Sequence, residues 1–115
     1  MKIKHSESVE AKPVEMEGAE GVQMRLLIHQ AEGAPTFYMR QFIVAAGGHT
    51  PLHTHDWEHE VFVLAGSGTV SGEDGDKPIT AGDCVYVPPG ELHQFKNTGT
   101  EEMKFLCLVP RQTQP

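Results

Sequence analysis

Apolar residues along this chain fall into short runs, each closed by glycine, proline or a cluster of small polar residues, and none repeats with the spacing of a helix. Val22 to Gln30 (VQMRLLIHQ) is the first run, and Gly33-Ala34-Pro35 ends it. Thr36 to Ala45 (TFYMRQFIVA) is the second, with Gly47-Gly48 read as the turn out of it. Glu60 to Ala65 (EVFVLA), Thr69 to Ser71, Cys84 to Val87, His93 to Lys96 and Met103 to Val109 complete the set. Gly66-Ser67-Gly68 reads as a tight turn, and Glu73-Asp74-Gly75-Asp76 as a hairpin tip whose Asp-Gly pair suits a primed turn. Pro88-Pro89-Gly90 stops the Cys84 run, because proline cannot donate to a central ladder. Short strands with turn signals roughly every 8–12 residues predict an all-β sandwich or barrel with almost no helix. Residues 1 to 20 mix charges with Pro13 and Gly18 and predict an arm, packed on the body of the domain (residues 21 to 115) or on a second subunit.

Composition narrows the class of function. A chain of 115 residues can bury one core, so one site is expected. The net charge of −7 argues against nucleic acid or an anionic membrane as partner, since both attract basic patches. Met1-Lys2-Ile3-Lys4-His5 leads into charged residues rather than an apolar run, and no segment has the length of a membrane span, so a cytoplasmic location is expected. Cys84 and Cys107 each lie in an apolar run and are expected as reduced, buried thiols.

The candidate chemistry is concentrated in His53-Thr54-His55-Asp56-Trp57-Glu58-His59-Glu60. In an extended segment, side chains two apart stand on one face about 7 Å from each other, so His53 and His55 can close on one ion with bonds of roughly 2.0–2.1 Å. A turn through Asp56-Trp57-Glu58 brings either His59 or Glu60 to the same ion; His59 shares a face with Val61 and Val63, Glu60 with Phe62 and Leu64, so only one of them points inward. If His93 points inward, Phe95 does too. Arg40, alone in an apolar strand, either orients a carboxylate bidentately or keeps its head in solvent. Trp57 is expected to pack over the site mouth or against another subunit.

These residues fit a known pattern. The cupins carry two motifs, G-x5-H-x-H-x3,4-E-x6-G and G-x5-P-x-G-x2-H-x3-N; the second is matched by Gly82, Pro88, Gly90, His93 and Asn97, the first by Gly47, His53, His55 and Glu60, with its closing glycine displaced to Gly66 or Gly68. The chain therefore resembles the cupin superfamily, and the HTHDWEHE stretch resembles that of small single-domain cupins whose metal is held by four histidines. The resemblance implies a jelly-roll β-barrel with one divalent transition metal (Mn, Fe, Ni, Zn or Cu) held by His53, His55, His93 and a third residue of the first motif, His59 being favoured over Glu60. It also implies that the last strand closes the barrel wall, which turns Phe105 and Cys107 toward a substrate pocket with Phe95 and Arg40. The function expected is a metal-dependent enzyme acting on a small oxygen-rich molecule, dioxygenase-like or isomerase-like, with chemistry at the metal itself. The alternative is a non-enzymatic module that binds or senses a small ligand. A homodimer is expected from the arm, with its scattered Ile3, Val9, Val14 and Met16, and from the way cupins often pair through terminal strands.

Overall fold

A computed structural model describes residues 1–111; the last positions of the expected barrel segment, 112–115, lie outside the described residues. The β-branched and aromatic runs form nine strands: β1 (Lys12–Pro13), β2 (Glu20–Ile28), β3 (Phe37–His49), β4 (His59–Ala65), β5 (Ser67–Gly72), β6 (Gly75–Thr80), β7 (Cys84–Val87), β8 (Gln94–Lys96) and β9 (Met103–Pro110). The helical content among the described residues is two single turns of 3-10 helix, Ser6–Ser8 and Gln30–Glu32. The strands hydrogen-bond in the order β6-β5-β8-β3-β9-β4-β7, with β2 on the other edge of β3 and β1 on β2. All pairings are antiparallel. The result is one strongly curled sheet, all-β as the strand pattern predicts and of the jelly-roll kind that the resemblance implies.

β3 holds the barrel together, because it belongs to both of its walls. From Phe37 to Val44 it pairs with β9, and at His49 it pairs instead with Lys96 of β8. The Gly47-Gly48 turn expected from the sequence is not a turn: the chain stays extended through His49 and bends within the strand. Asn97 supplies the reason. Gly47 N–H donates to the Asn97 carbonyl (3.1 Å) and Asn97 N–H to the Gly48 carbonyl (2.9 Å), so the backbone past Ala45 has partners and need not reverse. Gly47 has φ +80, the left-handed conformation that lets a strand kink without ending.

Three other boundaries differ from expectation. Gly66-Ser67-Gly68 is not a tight turn; Gly66 alone separates β4 from β5, at φ +83, and a Cβ there would lie 2.6 Å from the Glu102 carbonyl oxygen. β6 has no counterpart in the sequence reading, since Pro78 sits within it; it is an edge strand, where the absent N–H faces away from the ladder. The hairpin tip falls on Glu73-Asp74, one residue earlier than the Asp-Gly pair, with Gly75 paired to Gly72. Cys84, expected buried, is exposed because it points outward from the edge strand β7; both cysteines are free thiols.

Alternation fills the interior. Met103, Phe105, Cys107 and Val109 of β9 are buried while the residues between them are half-buried. Phe105 is the centre of the core, stacked on Phe95 (ring centroids 4.8 Å) and Phe42 (5.3 Å). Residues 9–14 run along β2: Arg25 Nε donates to the Val9 carbonyl (3.0 Å) and Val14 N–H to the Val22 carbonyl (2.9 Å). Among the described residues no helix is long and apolar enough to cross a membrane.

Candidate metal centre

Three backbone contacts bring the histidine stretch against the segment before β8. His53 and His93 exchange N–H to carbonyl bonds of 3.2 and 3.1 Å, Gly90 N–H donates to the His55 carbonyl (2.8 Å), and Thr50 N–H to that of Phe95 (2.9 Å). Two segments far apart in sequence thus form a single platform, and its imidazoles face one another. His53, His55 and His93 each offer one nitrogen within 4.8 Å of the others. His59, first residue of β4, joins them through His55: the two Nε2 atoms are 2.9 Å apart, and the His59 ring centroid lies 4.6 Å from that of His55 and 5.0 Å from that of His93.

The outer nitrogens fix the rings. His55 Nδ1–H donates to the Trp57 carbonyl and His93 Nδ1–H to the Glu91 carbonyl, both at 2.9 Å, which leaves each Nε2 as a lone pair turned inward. The Trp57 indole stacks on the His55 ring at 4.2 Å, nearly parallel. His59 Nδ1 lies 3.1 Å from the Cys107 sulfur, a possible acceptor for an Nδ1–H, and 3.4 Å from Arg40 Nη2. Burial favours the neutral forms of His53, His55 and His59. The pKa of His59 is pushed down to about 2, first by desolvation and then by the Arg40 charge and its histidine neighbours. Those of His53 and His55 are lowered by desolvation and next by His93. Burial pushes the Cys107 thiol up, against the opposing pull of Arg40, so it stays protonated.

The donor set fits a transition metal. Two nitrogens bound at about 2.1 Å and at right angles would be about 3.0 Å apart, and opposite ones about 4.2 Å. The His55–His59 separation matches the first figure, and the nitrogens of His53, His55 and His93 lie within 4.8 Å of one another, a limit about 0.6 Å wider than the second. Glu60, the other candidate for the third position, points outward: it is exposed and pairs across the sheet with Tyr86 and Leu108.

The histidines open into a cavity of about 350 Å³. Arg40, Phe95, Phe105 and Cys107 all line it, and Arg40 is buried rather than solvated. The sequence reading missed Phe42, Val14 and Met16 as walls, while Trp57 lies at the cavity, one of the two places expected for it. The first was in reach, since Phe42 shares strand parity with Arg40. Val14 and Met16 were not, because their place depends on how the arm lies across β2.

The comparisons with known proteins bear on the family and the fold. The chain is 30% identical over 112 residues to the oxalate-binding protein of Thermotoga maritima, a match covering 95% of this chain and 93% of that protein. It is 36% identical over 76 residues to auxin-binding protein 1 of Arabidopsis thaliana, but spans only 38% of that protein's length. The crystal structure of the polyketide cyclase RemF from Streptomyces resistomycificus superposes with a TM-score of 0.93 at 34% identity, covering 100% of this chain and 82% of that one. A family model described as "Cupin domain" matches residues 40–109, from Arg40 in β3 to Val109 in β9 and including every histidine of the cluster, and the chain belongs to the cupin family.

Proposed function

We propose that this chain is a metal-dependent cupin enzyme acting on a small oxygen-rich molecule, with His53, His55, His59 and His93 as ligands of one divalent transition ion and carbonyl polarisation as its chemistry. The observation that carries the reading is the meeting of imidazole nitrogens in a cavity otherwise walled mainly by aromatic and aliphatic side chains. Without a carboxylate among its ligands, the ion would keep its full charge and act as a strong Lewis acid on a carbonyl oxygen.

The chain's own residues do the rest. The Trp57 and Glu91 carbonyls lock the His55 and His93 rings, so the lone pairs are oriented before any ligand arrives. Phe42, Phe95 and Phe105 form a wall that excludes water, which strengthens every polar interaction inside. Cys107, held as a thiol 3.1 Å from His59 Nδ1, is no nucleophile. Likeness over the whole chain to a structure described as a polyketide cyclase supports carbonyl chemistry over oxygen chemistry. The dioxygenase relative, a gentisate 1,2-dioxygenase from Ralstonia, is 23% identical and only 23% of its length is matched.

The test has two parts. Elemental analysis of untagged protein purified without chelator is expected to give about one equivalent of a transition metal. With 2-hydroxyacetophenone in D2O, the metal-loaded protein is expected to speed loss of the α-proton signal by proton NMR, and the chelated protein is not. Consumption of dioxygen in place of exchange would overturn the carbonyl reading. A second reading, a non-enzymatic binding module for a small acid, is favoured by the relative named for oxalate binding. Oxalate bound tightly and unchanged over hours, with no exchange in any ketone, would establish it.

A further inference from the structure

Arg40 stands apart from every other cation of the chain. It is 8% exposed, projects inward from the middle of β3, and lines the histidine cavity. Its Nε is buried with no hydrogen-bond partner, and none of the ion pairs formed among the described residues involves it. The contacts it does make are with neutral groups: Nη2 donates to the Cys107 sulfur (3.1 Å), approaches His59 Nδ1 at 3.4 Å, and the guanidinium carbon lies 5.0 Å from the Phe42 ring centroid. An imidazole carries no negative charge and Cys107 is a free thiol, so neither neutralises it.

A guanidinium taken out of water without a counter-ion weakens the fold, and a protein gains nothing in stability from keeping one. The planar fork of arginine matches a flat group with two oxygens, and in a cavity it awaits a partner that the chain does not supply. The rest of the cavity says what else that partner carries. Phe42, Phe95 and Phe105 form a continuous stack beside Arg40, and the volume of about 350 Å³ is at the lower end of the range for organic ligands. A two-carbon dicarboxylate would meet the charge and leave the aromatic wall uncovered.

We infer that Arg40 is the anchor for an anionic, planar oxygen group of the ligand, a carboxylate or enolate, carried on a flat aromatic or conjugated body that lies against Phe42, Phe95 and Phe105. The inference deepens the proposed function by giving its substrate class; it rests on that reading for the cavity being the ligand site, and not on the metal. Arg40 holds the ligand's charge, the aromatic wall holds its body, and the histidines are left free for the metal.

The experiment uses the full chain stripped of metal with chelator at pH 7.5, with Arg40 the charged group under test. Benzoate, benzyl alcohol and oxalate are titrated against wild type, Arg40→Gln and Arg40→Lys, followed by calorimetry and by the fluorescence of Trp57, the one tryptophan of the chain. Benzoate is expected to bind wild type at least ten-fold more tightly than Arg40→Gln, and more tightly than either benzyl alcohol or oxalate. Arg40→Lys, with the charge but not the fork, is expected to fall between. Without ligand, Arg40→Gln is expected to melt no lower than wild type, and benzoate to raise the melting temperature of wild type alone. Equal benzoate affinity for wild type and Arg40→Gln overturns the anchor, as does failure of Arg40→Gln to fold or of wild type to bind benzoate. Oxalate binding more tightly than benzoate overturns the aromatic body. Metal content is measured separately on the same preparations. A wild type that takes up no metal yet binds benzoate through Arg40 removes the metal reading and leaves the anchor standing.

Discussion

Two adjacent residues, His59 and Glu60, show how a side chain's direction decides its chemistry. The pleat of β4 turns His59 into the cavity with Val61 and Val63, and turns Glu60 outward with Phe62 and Leu64. His59→Ala is therefore expected to lower metal affinity at least as much as loss of an outer-sphere partner does, roughly 10- to 100-fold, while Glu60→Ala leaves it unchanged. Competition with a chromogenic chelator measures both, and the reverse ranking would give the position to Glu60. The same burial makes the metal-free fold sensitive to acid. His53, His55 and His59 have pKa values below the ordinary 6.5, so the folded state binds fewer protons than the unfolded chain as pH falls below that value. The stability they carry is complete above about pH 6.5 and is lost as pH drops toward their folded values, by up to ~1.4 kcal/mol per pH unit for a fully effective group. His59 approaches that limit; His53 and His55, half-buried, fall short of it because solvent screens them. The urea midpoint of chelated protein is expected to be clearly lower at pH 5.0 than at pH 7.5. An unchanged midpoint would mean that the rings are solvated.

At the scale of elements, the bend in β3 decides whether the barrel closes. Asn97, 2% exposed, donates through Nδ2 to the carbonyls of Val44 (2.9 Å) and Glu101 (2.8 Å) and accepts from Gly99 N–H at 3.0 Å. Asn97→Ala leaves the buried Val44 carbonyl and the part-buried Glu101 carbonyl and Gly99 N–H without that partner and is expected to cost about 2–3 kcal/mol. Urea unfolding with an unchanged slope would read that loss directly; a cost under about 1 kcal/mol would show that the bend holds without it. Strands with strict alternation, such as β4 and β9, were legible from sequence because one face is buried and the period alone places every side chain. The histidine, glycine and proline spacings likewise located the site. What could not be read was structure set by distant partners. β3 runs past Ala45 because Asn97 and Lys96 wait for it some fifty positions later. β6 forms at an edge despite Pro78. Arg40 admitted two readings until its neighbours across the barrel, Cys107 and His59, were in place.

For the molecule as a whole, the outer face of the sheet β3-β9-β4-β7 presents a problem that a single chain does not solve. A sheet with one face on the core ordinarily turns polar residues to solvent. Here Met39, Leu106, Leu108, Phe62 and Tyr86 line an open groove on that face, with Phe62 43% and Tyr86 60% exposed. Ile3, 91% exposed, adds an apolar side chain of the N-terminal arm that covers nothing in its own chain. We propose that a second copy of the chain covers this surface, with the arm contributing to the contact. The net charge of −7 makes an acidic partner unfavourable, and Glu60 stands on this face between Tyr86 and Leu108, so a two-fold interface centred on the apolar strands has one carboxylate from each copy to accommodate. A stable pair needs roughly 800 Å² per subunit, which a four-stranded face with an arm can supply. Light scattering at micromolar concentration is expected to give twice the mass of one chain. Phe62→Asp with Tyr86→Asp, both on the outer face and clear of the cavity, is expected to give a folded monomer that still takes up metal. A wild type that stays monomeric would leave the apolar face without the partner proposed for it, and a double variant that stays dimeric would move the interface elsewhere, with the arm the next place to cut.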